Sequence, residues 1–207
     1  MVKKMEPTPS LCIRGVSIFQ GLLDSAAQME MVAALREVAR MAPFFRPVTS
    51  RGQSMSVRMT SAGQVGWVSD RRGYRYEPRH PEGSNWPPIP ESVLAVWSQV
   101  VPNARMPDSC LVNFYDADAR MGMHQDRDEA DLEQPVVSIS LGDDALFRIG
   151  NLTRGGKTES VWLKSGDVLV IGGAARLVYH GIDRIRAGSS KLLPDGGRIN
   201  LTLRVAR

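Results

Sequence analysis

Two histidines and an aspartate in this chain could meet at a metal. His124 and Asp126 stand two apart in MGMHQDRD, and in extended backbone residues i and i+2 share a face. One imidazole and one carboxylate converging on a point, with coordination positions left open, make two thirds of a non-haem iron(II) facial triad. A pattern this short also recurs by chance, on surface loops with a solvated histidine. It needs a distant second histidine and something to hold a co-substrate. Of the three histidines, His80 lies in the Pro-flanked RHPEG and reads as solvent-exposed. His180 closes the run Arg176-Leu-Val-Tyr-His180, and Gly181 behind it lets the backbone turn at a site edge. A histidine at a strand end is more often structural. Paired with His124-x-Asp126 in a jelly roll, it becomes the third candidate ligand.

The last apolar stretch meets the second requirement. In Arg198-Ile-Asn-Leu-Thr-Leu-Arg204 a strand period puts Arg198, Asn200, Thr202 and Arg204 on one face. Ile199, Leu201, Leu203 and Val205 take the other. Two guanidiniums flanking an amide and a hydroxyl are costly to bury unless they meet anions. A solvated edge strand would normally mix charge signs, and no acid stands on this face. A dicarboxylate lying along the strand, gripped by arginine at either end, satisfies the pattern.

The elements that must carry these residues follow from periodicity. Leu111–Tyr115 alternates, with Leu111, Asn113 and Tyr115 on one side and Val112 and Phe114 on the other. A polar turn, Asp116–Arg120, then leads to His124. A strand over Leu11–Phe19 comes first in the chain, then a helix from the capping pattern Ser25-Ala-Ala-Gln28 to about Met41. Met31, Leu35, Val38 and Met41 follow its period and should face a sheet, and Pro43 ends it. A second helix is expected over Pro90–Val101, with Val93, Trp97 and Val100 as its buried stripe. Beyond it the short runs Cys110–Tyr115, Val136–Leu141, Ala145–Ile149, Ser160–Leu163, Val168–Ile171, Leu177–His180 and Ile199–Val205 are separated by Gly and Asp turns. Many short strands after two helices predict an α+β, mainly β fold. It is a double-stranded β-helix (jelly roll) with N-terminal helices packed outside.

Composition sets bounds on this picture. The chain has 207 residues, 43% hydrophobic and 23% charged, enough for one domain over residues 11–207 with a real core. Residues 1–10, MVKKMEPTPS, read as a disordered tail with no signal-peptide core. No apolar run approaches the roughly 20 residues of a membrane span. Cys12 and Cys110 stand far apart in apolar stretches and read as two buried thiols in a reducing cytoplasm.

Charge is uneven along the chain. Between Arg46 and Arg79 seven arginines face only Asp70 and Glu77, a balance of +5 in a chain whose total is +4. Trp67, Tyr74 and Tyr76 are interleaved with them. Arginine for phosphates and aromatic faces for bases suit unstacked nucleic acid. A solvated basic hairpin with aromatics on its inner face would read the same way, and these residues alone leave both readings open.

Taken in order, MSVRMTSAGQVGWVSDRRGYRYEP, CLVNFYDADARMGMHQDRDEADL, PVVSISLG, GDVLVIGGAARLVYHGI and RINLTLR resemble the AlkB family of iron(II)/2-oxoglutarate-dependent dioxygenases. The likeness spans nearly the whole chain and is greatest to bacterial enzymes that repair alkylated nucleobases. It implies that His124, Asp126 and His180 ligate Fe(II). It implies that Arg198 pairs with the distal carboxylate of 2-oxoglutarate, with Asn113, Tyr115, Asn200 and Arg204 completing that pocket. A nucleotide-recognition lid would span Arg46–Arg79. Trp67, Tyr74, Arg75 and Tyr76 would contact a flipped base and its backbone, Asp128 the base edge, and Arg154 the nucleic acid. The implied reaction consumes O2 and 2-oxoglutarate, yields succinate and CO2, and releases N-methyl groups of 1-methyladenine or 3-methylcytosine as formaldehyde. The implied protein is a cytoplasmic monomer acting on single-stranded or flipped-base DNA, and RNA in addition. Ile171 stands where some relatives carry an aromatic, which bears on pocket packing. Two other readings are a dioxygenase of the same fold acting on a small molecule or protein side chain, and a catalytically silent nucleic-acid binder.

Overall fold

The computed structural model describes residues 7–207. The expected tail therefore lies outside the described residues for positions 1–6. Its last residue, Ser10, is held in place: its N–H donates to the Ile18 carbonyl at 2.8 Å and its hydroxyl accepts from Gln20 N–H at 3.2 Å.

The stretch expected as one strand is a hairpin of β1 (Leu11–Ile13) and β2 (Val16–Phe19). Arg14 and Gly15 both take positive φ, +50° and +83°, which is the twist a two-residue hairpin turn requires. Helix α1 (Ser25–Met41) is capped one residue earlier than the Ser25 pattern suggests. Asp24 accepts from Ala27 N–H at 2.8 Å, while the Gln28 amide turns away to donate to the Leu23 carbonyl. Met31, Val32, Leu35 and Val38 are buried, but Met41, expected on the same stripe, is half exposed at the helix end. Three strands follow: β3 (Arg58–Gly63), β4 (Gly66–Asp70) and β5 (Gly73–Glu77). Helix α2 (Glu91–Val100) begins after Pro90 and buries Val93, Val96 and Trp97.

The remaining strands are β6 (Ser109–Tyr115), β7 (Met121–His124), β8 (Val136–Gly142), β9 (Asp144–Ile149), β10 (Glu159–Leu163), β11 (Val168–Ile171), β12 (His180–Arg186) and β13 (Arg198–Arg204). They form a seven-stranded sheet, β1-β2-β11-β8-β13-β6-β3, and a four-stranded sheet, β10-β9-β12-β7, with antiparallel pairing throughout. One core packs α1 and α2 on the outer face of the larger sheet, around Trp97, Leu201 and Leu203. The other lies between the two sheets, around Ile18, Leu111, Phe147 and Ile171. This is the expected jelly roll with helices outside. The alternation in β6 and β13 is what lets one strand serve both: apolar residues go to the helices, and polar ones face inward between the sheets.

Part of the stretch expected as a lid belongs to the scaffold, since β3 is the edge strand of the larger sheet beside β6. Only β4 and β5 stand apart as a two-stranded hairpin. Among the described residues no helix is long and apolar enough to cross a membrane. Both cysteines are free, but only Cys110 is buried; Cys12 is exposed on β1.

His80, expected in solvent, is 2% exposed. It accepts the Glu82 N–H on Nδ1 at 3.1 Å, so Nε2 carries the proton and donates to the Pro43 carbonyl at 2.9 Å. Its ring meets Phe45 and Trp86 edge-on. The flanking prolines shape a loop that folds inward over a small aromatic core instead of outward. Replacing His80 by Ala should therefore lower stability by about 1–3 kcal/mol, because it strands a buried carbonyl and opens a cavity. An unshifted urea midpoint would contradict that role.

Candidate active site

His124 and His180 come from facing strands. They are register partners across β7 and β12, and their rings lie 4.6 Å apart. His180 opens β12 where it was expected to close a strand, because the chain turns at Arg176 and Leu177, just after a 3-10 turn over Gly173–Ala175, and does not extend until His180. Gly181 is extended and makes no turn. Its lack of a side chain admits β7, since a Cβ there would come within 2.6 Å of the Met121 carbonyl oxygen. The close approach is what brings the two imidazoles together.

Asp126 completes the group: one donor atom from each of His124, Asp126 and His180 lies within 4.8 Å of the others. Each imidazole is oriented from behind. His124 Nδ1 sits 2.9 Å from the Gly122 carbonyl and His180 Nδ1 3.0 Å from that of Val178. With Nδ1 donating, each Nε2 lone pair is free, and the two Nε2 atoms stand 3.8 and 3.7 Å from the Asp126 carboxylate. Burial pushes His180 down to about 4, with Asp126 opposing, so the imidazole is neutral at pH 7, the form that binds metal. Burial would raise Asp126, but neighbouring positive charge, that of Arg204 foremost, holds it well below the usual carboxylate range. Two imidazoles and one carboxylate on one side leave the other side of a metal open.

A cavity of about 460 Å³ opens from this group. Along its floor, Arg198 is 1% exposed and donates from Nη2 to Ser140 Oγ at 2.9 Å, while Nε and Nη1 have no partner. Burial pushes its guanidinium down to about 10, with Tyr115 and Asp167 opposing, so it stays charged at pH 7. A buried guanidinium fork with free N–H groups is a site for a carboxylate. Asn113, Tyr115 and Asn200 line the same cavity, and Asn113 Oδ1 is likewise unpartnered. Asn200 is held by Ser138 Oγ at 2.7 Å and the Ile139 carbonyl at 3.1 Å. The residues present thus fit both a metal and a dicarboxylate.

Arg204 lines the cavity too, but its guanidinium is drawn to Asp126 Oδ1 at 2.9 Å and lies 3.2 Å from Glu129 Oε1. The second contact is an ion pair without hydrogen-bond alignment, since Arg204 Nε finds no hydrogen-bond partner. Arg176 and Glu129 went unread in the sequence. Arg176 donates to the Asp126 backbone carbonyl and to Glu129 Oε2 at 2.9 Å. Ser138 and Ser140 also went unread, although they alternate in Val-Val-Ser-Ile-Ser-Leu at the same period as the polar face of β13.

The outer wall comes from the β4–β5 hairpin. Trp67 and Tyr74 stack at 5.4 Å, and the Trp67 indole N–H donates to Asp128 at 2.9 Å. Trp67, Tyr74, Asp128 and Arg154 line the cavity, and Arg154 lies over the Tyr179 ring at 5.9 Å. Arg75 and Tyr76 are not brought to it. Arg75 is tied to Asp70 and Glu77 within the hairpin, and the Tyr76 hydroxyl donates to Glu129 at 2.6 Å. The excess of positive charge is also less free than its count suggested. Arg46 and Arg58 share Asp116, and Arg72 joins Arg75 on Asp70. These pairs are partly exposed, so each is weak and open to exchange for a phosphate.

Mn(II) titration by calorimetry tests this geometry. Replacing His124 or His180 by Ala should abolish saturable binding, and Gly181→Ala should weaken it about tenfold or more by forcing β7 away. His80→Ala should bind as the unaltered protein does. Equal loss in all four would sink the assignment of the ligands.

A family model, the 2OG-Fe(II) oxygenase superfamily, matches residues 15–204. An alpha-ketoglutarate-dependent dioxygenase AlkB homolog of Caulobacter vibrioides is 53% identical over 205 residues, covering 99% of this chain and 93% of that protein. The alpha-ketoglutarate-dependent dioxygenase AlkB of Escherichia coli K12 is 39% identical over 206 residues, covering 97% of this chain and 94% of its own. A solved structure of OsALKBH1 superposes with a TM-score of 0.79 at 30% identity, covering 94% of this chain and 99% of that one. The chain belongs to the 2OG-Fe(II) oxygenase superfamily, as an iron(II)- and 2-oxoglutarate-dependent dioxygenase of the AlkB family.

Proposed function

We propose that this dioxygenase demethylates N-alkylated nucleobases, 1-methyladenine and 3-methylcytosine among them, in single-stranded or flipped-base DNA, with RNA as a further substrate. The observation that carries the reading is the wall facing the metal ligands: a stacked Trp67–Tyr74 pair with the Asp128 carboxylate beside it. A flat cation suits that wall, with rings for its faces and a carboxylate for its charge. Arg154 at the rim suits a backbone phosphate.

When bound, iron(II) and 2-oxoglutarate supply oxidation of a substrate C–H bond by dioxygen, with succinate and CO2 as co-products. A methyl group hydroxylated on a ring nitrogen is unstable there and leaves as formaldehyde. His124, Asp126 and His180 hold the metal. Arg198 pairs with the distal carboxylate of the keto acid, and Asn113, Tyr115 and Asn200 shape its slot, with Arg204 behind Asp126. The base must leave its stack to reach the metal, at a cost of roughly a few kcal/mol that is least for damaged or unpaired bases. Trp67 and Tyr74 offset that cost by replacing the lost stacking. The reading takes the protein as a monomer, in a cytoplasm whose reducing conditions suit its two free thiols.

The deciding experiment is turnover of methylated oligonucleotides, single- and double-stranded, with iron(II), ascorbate and 2-oxoglutarate, reading formaldehyde. Succinate formed without formaldehyde from any oligonucleotide would favour a small-molecule or protein substrate instead. Arg198→Ala should raise the KM for 2-oxoglutarate by about one to two decades, since a charge-assisted pair is lost. Asp128→Asn should slow 1-methyladenine and 3-methylcytosine by about one to two decades, from roughly 1–3 kcal/mol of screened attraction. Neutral 1-methylguanine should slow far less. Equal slowing of neutral and cationic bases would remove Asp128 as the selecting group.

A further inference from the structure

A buried carboxylate that the proposed reaction does not use lies directly behind the metal ligands. The Glu129 side chain is 2% exposed and meets three groups from three parts of the fold, two by hydrogen bonds and one as an ion pair. Arg176 Nη2 approaches Oε2 at 2.9 Å, Arg204 Nε lies 3.2 Å from Oε1, and the Tyr76 hydroxyl donates to Oε1 at 2.6 Å. Arg204 in turn holds Asp126 Oδ1 at 2.9 Å, and Arg176 holds the Asp126 backbone carbonyl. Tyr76 belongs to β5 and is the register partner of Trp67 on β4. One continuous line of charge-assisted contacts therefore runs from the hairpin that carries Trp67 and Tyr74 to the carboxylate among the metal ligands. Burial raises the Tyr76 phenol above its ordinary range, so its proton stays on oxygen and remains available to Glu129.

We infer that Tyr76 and Glu129 form a latch between the aromatic hairpin and the metal site. Glu129 is a positioning residue for Asp126, acting through Arg204 and Arg176. Tyr76 is a positioning residue for the hairpin and does not contact substrate. The hairpin belongs to neither large sheet, so contacts such as this one set where its rings stand over the metal. Because a link between two sites is reciprocal, loading the metal site also steadies the hairpin. The inference rests on the nucleobase reading only for what the rings hold.

Hydrogen–deuterium exchange of residues 66–77, with and without Mn(II) and 2-oxoglutarate, tests it without turnover. Loading should slow exchange there several-fold in the unaltered protein and leave it unchanged in Tyr76→Phe. Mn(II) affinity should stay within about twofold in Tyr76→Phe and fall roughly tenfold in Glu129→Gln. With a methylated oligonucleotide, formaldehyde released per succinate should drop at least about threefold in Tyr76→Phe, as oxidation proceeds over an unseated base. A hairpin that ignores loading in the unaltered protein, or responds equally in Tyr76→Phe, overturns the latch. Should Glu129→Gln fail to fold, the exchange comparison with Tyr76→Phe decides alone. If no oligonucleotide yields formaldehyde even with the unaltered enzyme, the nucleobase reading fails while the exchange result still judges the latch.

Discussion

Asp126 keeps its charge at 8% exposure because the Arg204 guanidinium stands 2.9 Å from one of its oxygens. Much of the architecture serves that arrangement. Arg204 must itself be buried, so it needs a second carboxylate, and Glu129 provides one. Glu129 then needs more positive charge than Arg204 can share, and Arg176 reaches it from the segment before β12. Breaking one partner of a buried pair costs about 3–5 kcal/mol, so none of these groups can wander. Rigid strands on both sides are the physical answer. β13 carries Arg204, β12 carries His180 and β7 carries His124, each locked by antiparallel pairing.

The second buried charge is left incomplete in a different way. Arg198 has a serine hydroxyl on one nitrogen and nothing on two others. Its position is nonetheless well determined. The preceding loop is gathered onto Asp143, whose carboxylate accepts the N–H groups of Gly188, Ser190 and Gly197 at 3.1, 3.0 and 3.0 Å. A guanidinium whose backbone is fixed and whose fork is empty is preorganised for an anion, and little ordering cost remains when one arrives.

Legibility in the sequence followed the range of the forces involved. Strand alternation is local, and it placed Asn113 and Tyr115, and Arg198, Asn200 and Arg204, on the cavity side correctly. The metal-facing trio was legible because only three histidines exist and just one of them stands two residues before an aspartate. What failed was decided by distant partners. His80 looks like loop from its prolines, yet Phe45 and Trp86 enclose it. Arg176 and Glu129 look like ordinary surface charges until the fold brings them 2.9 Å apart. Arg75 and Tyr76 sit in a basic aromatic stretch like their neighbours; Tyr74 and Tyr76 share a face of β5, and only their position along the strand sets Tyr74 at the cavity and Tyr76 on Glu129. The Ser25 capping pattern lost to Asp24 by one residue, a difference that local chemistry alone does not settle.

The two-faced character of β13 has a bearing on how this chain can change over time. Its seven residues alternate without interruption between an oily face under the helices and a charged face over the cavity. Inserting or deleting a single codon inside it would exchange the faces, driving guanidiniums into the apolar core and leucines against the metal. Point substitution is thus the only gentle route of divergence open to residues 198–204. The β4–β5 hairpin, paired to neither sheet, has such a frame to protect in its strands but not at its turn, Arg71-Arg72. Lengthening that turn leaves Trp67, Tyr74 and Tyr76 in their places, so new substrate contacts can be acquired there by insertions that would destroy the enzyme a few strands away.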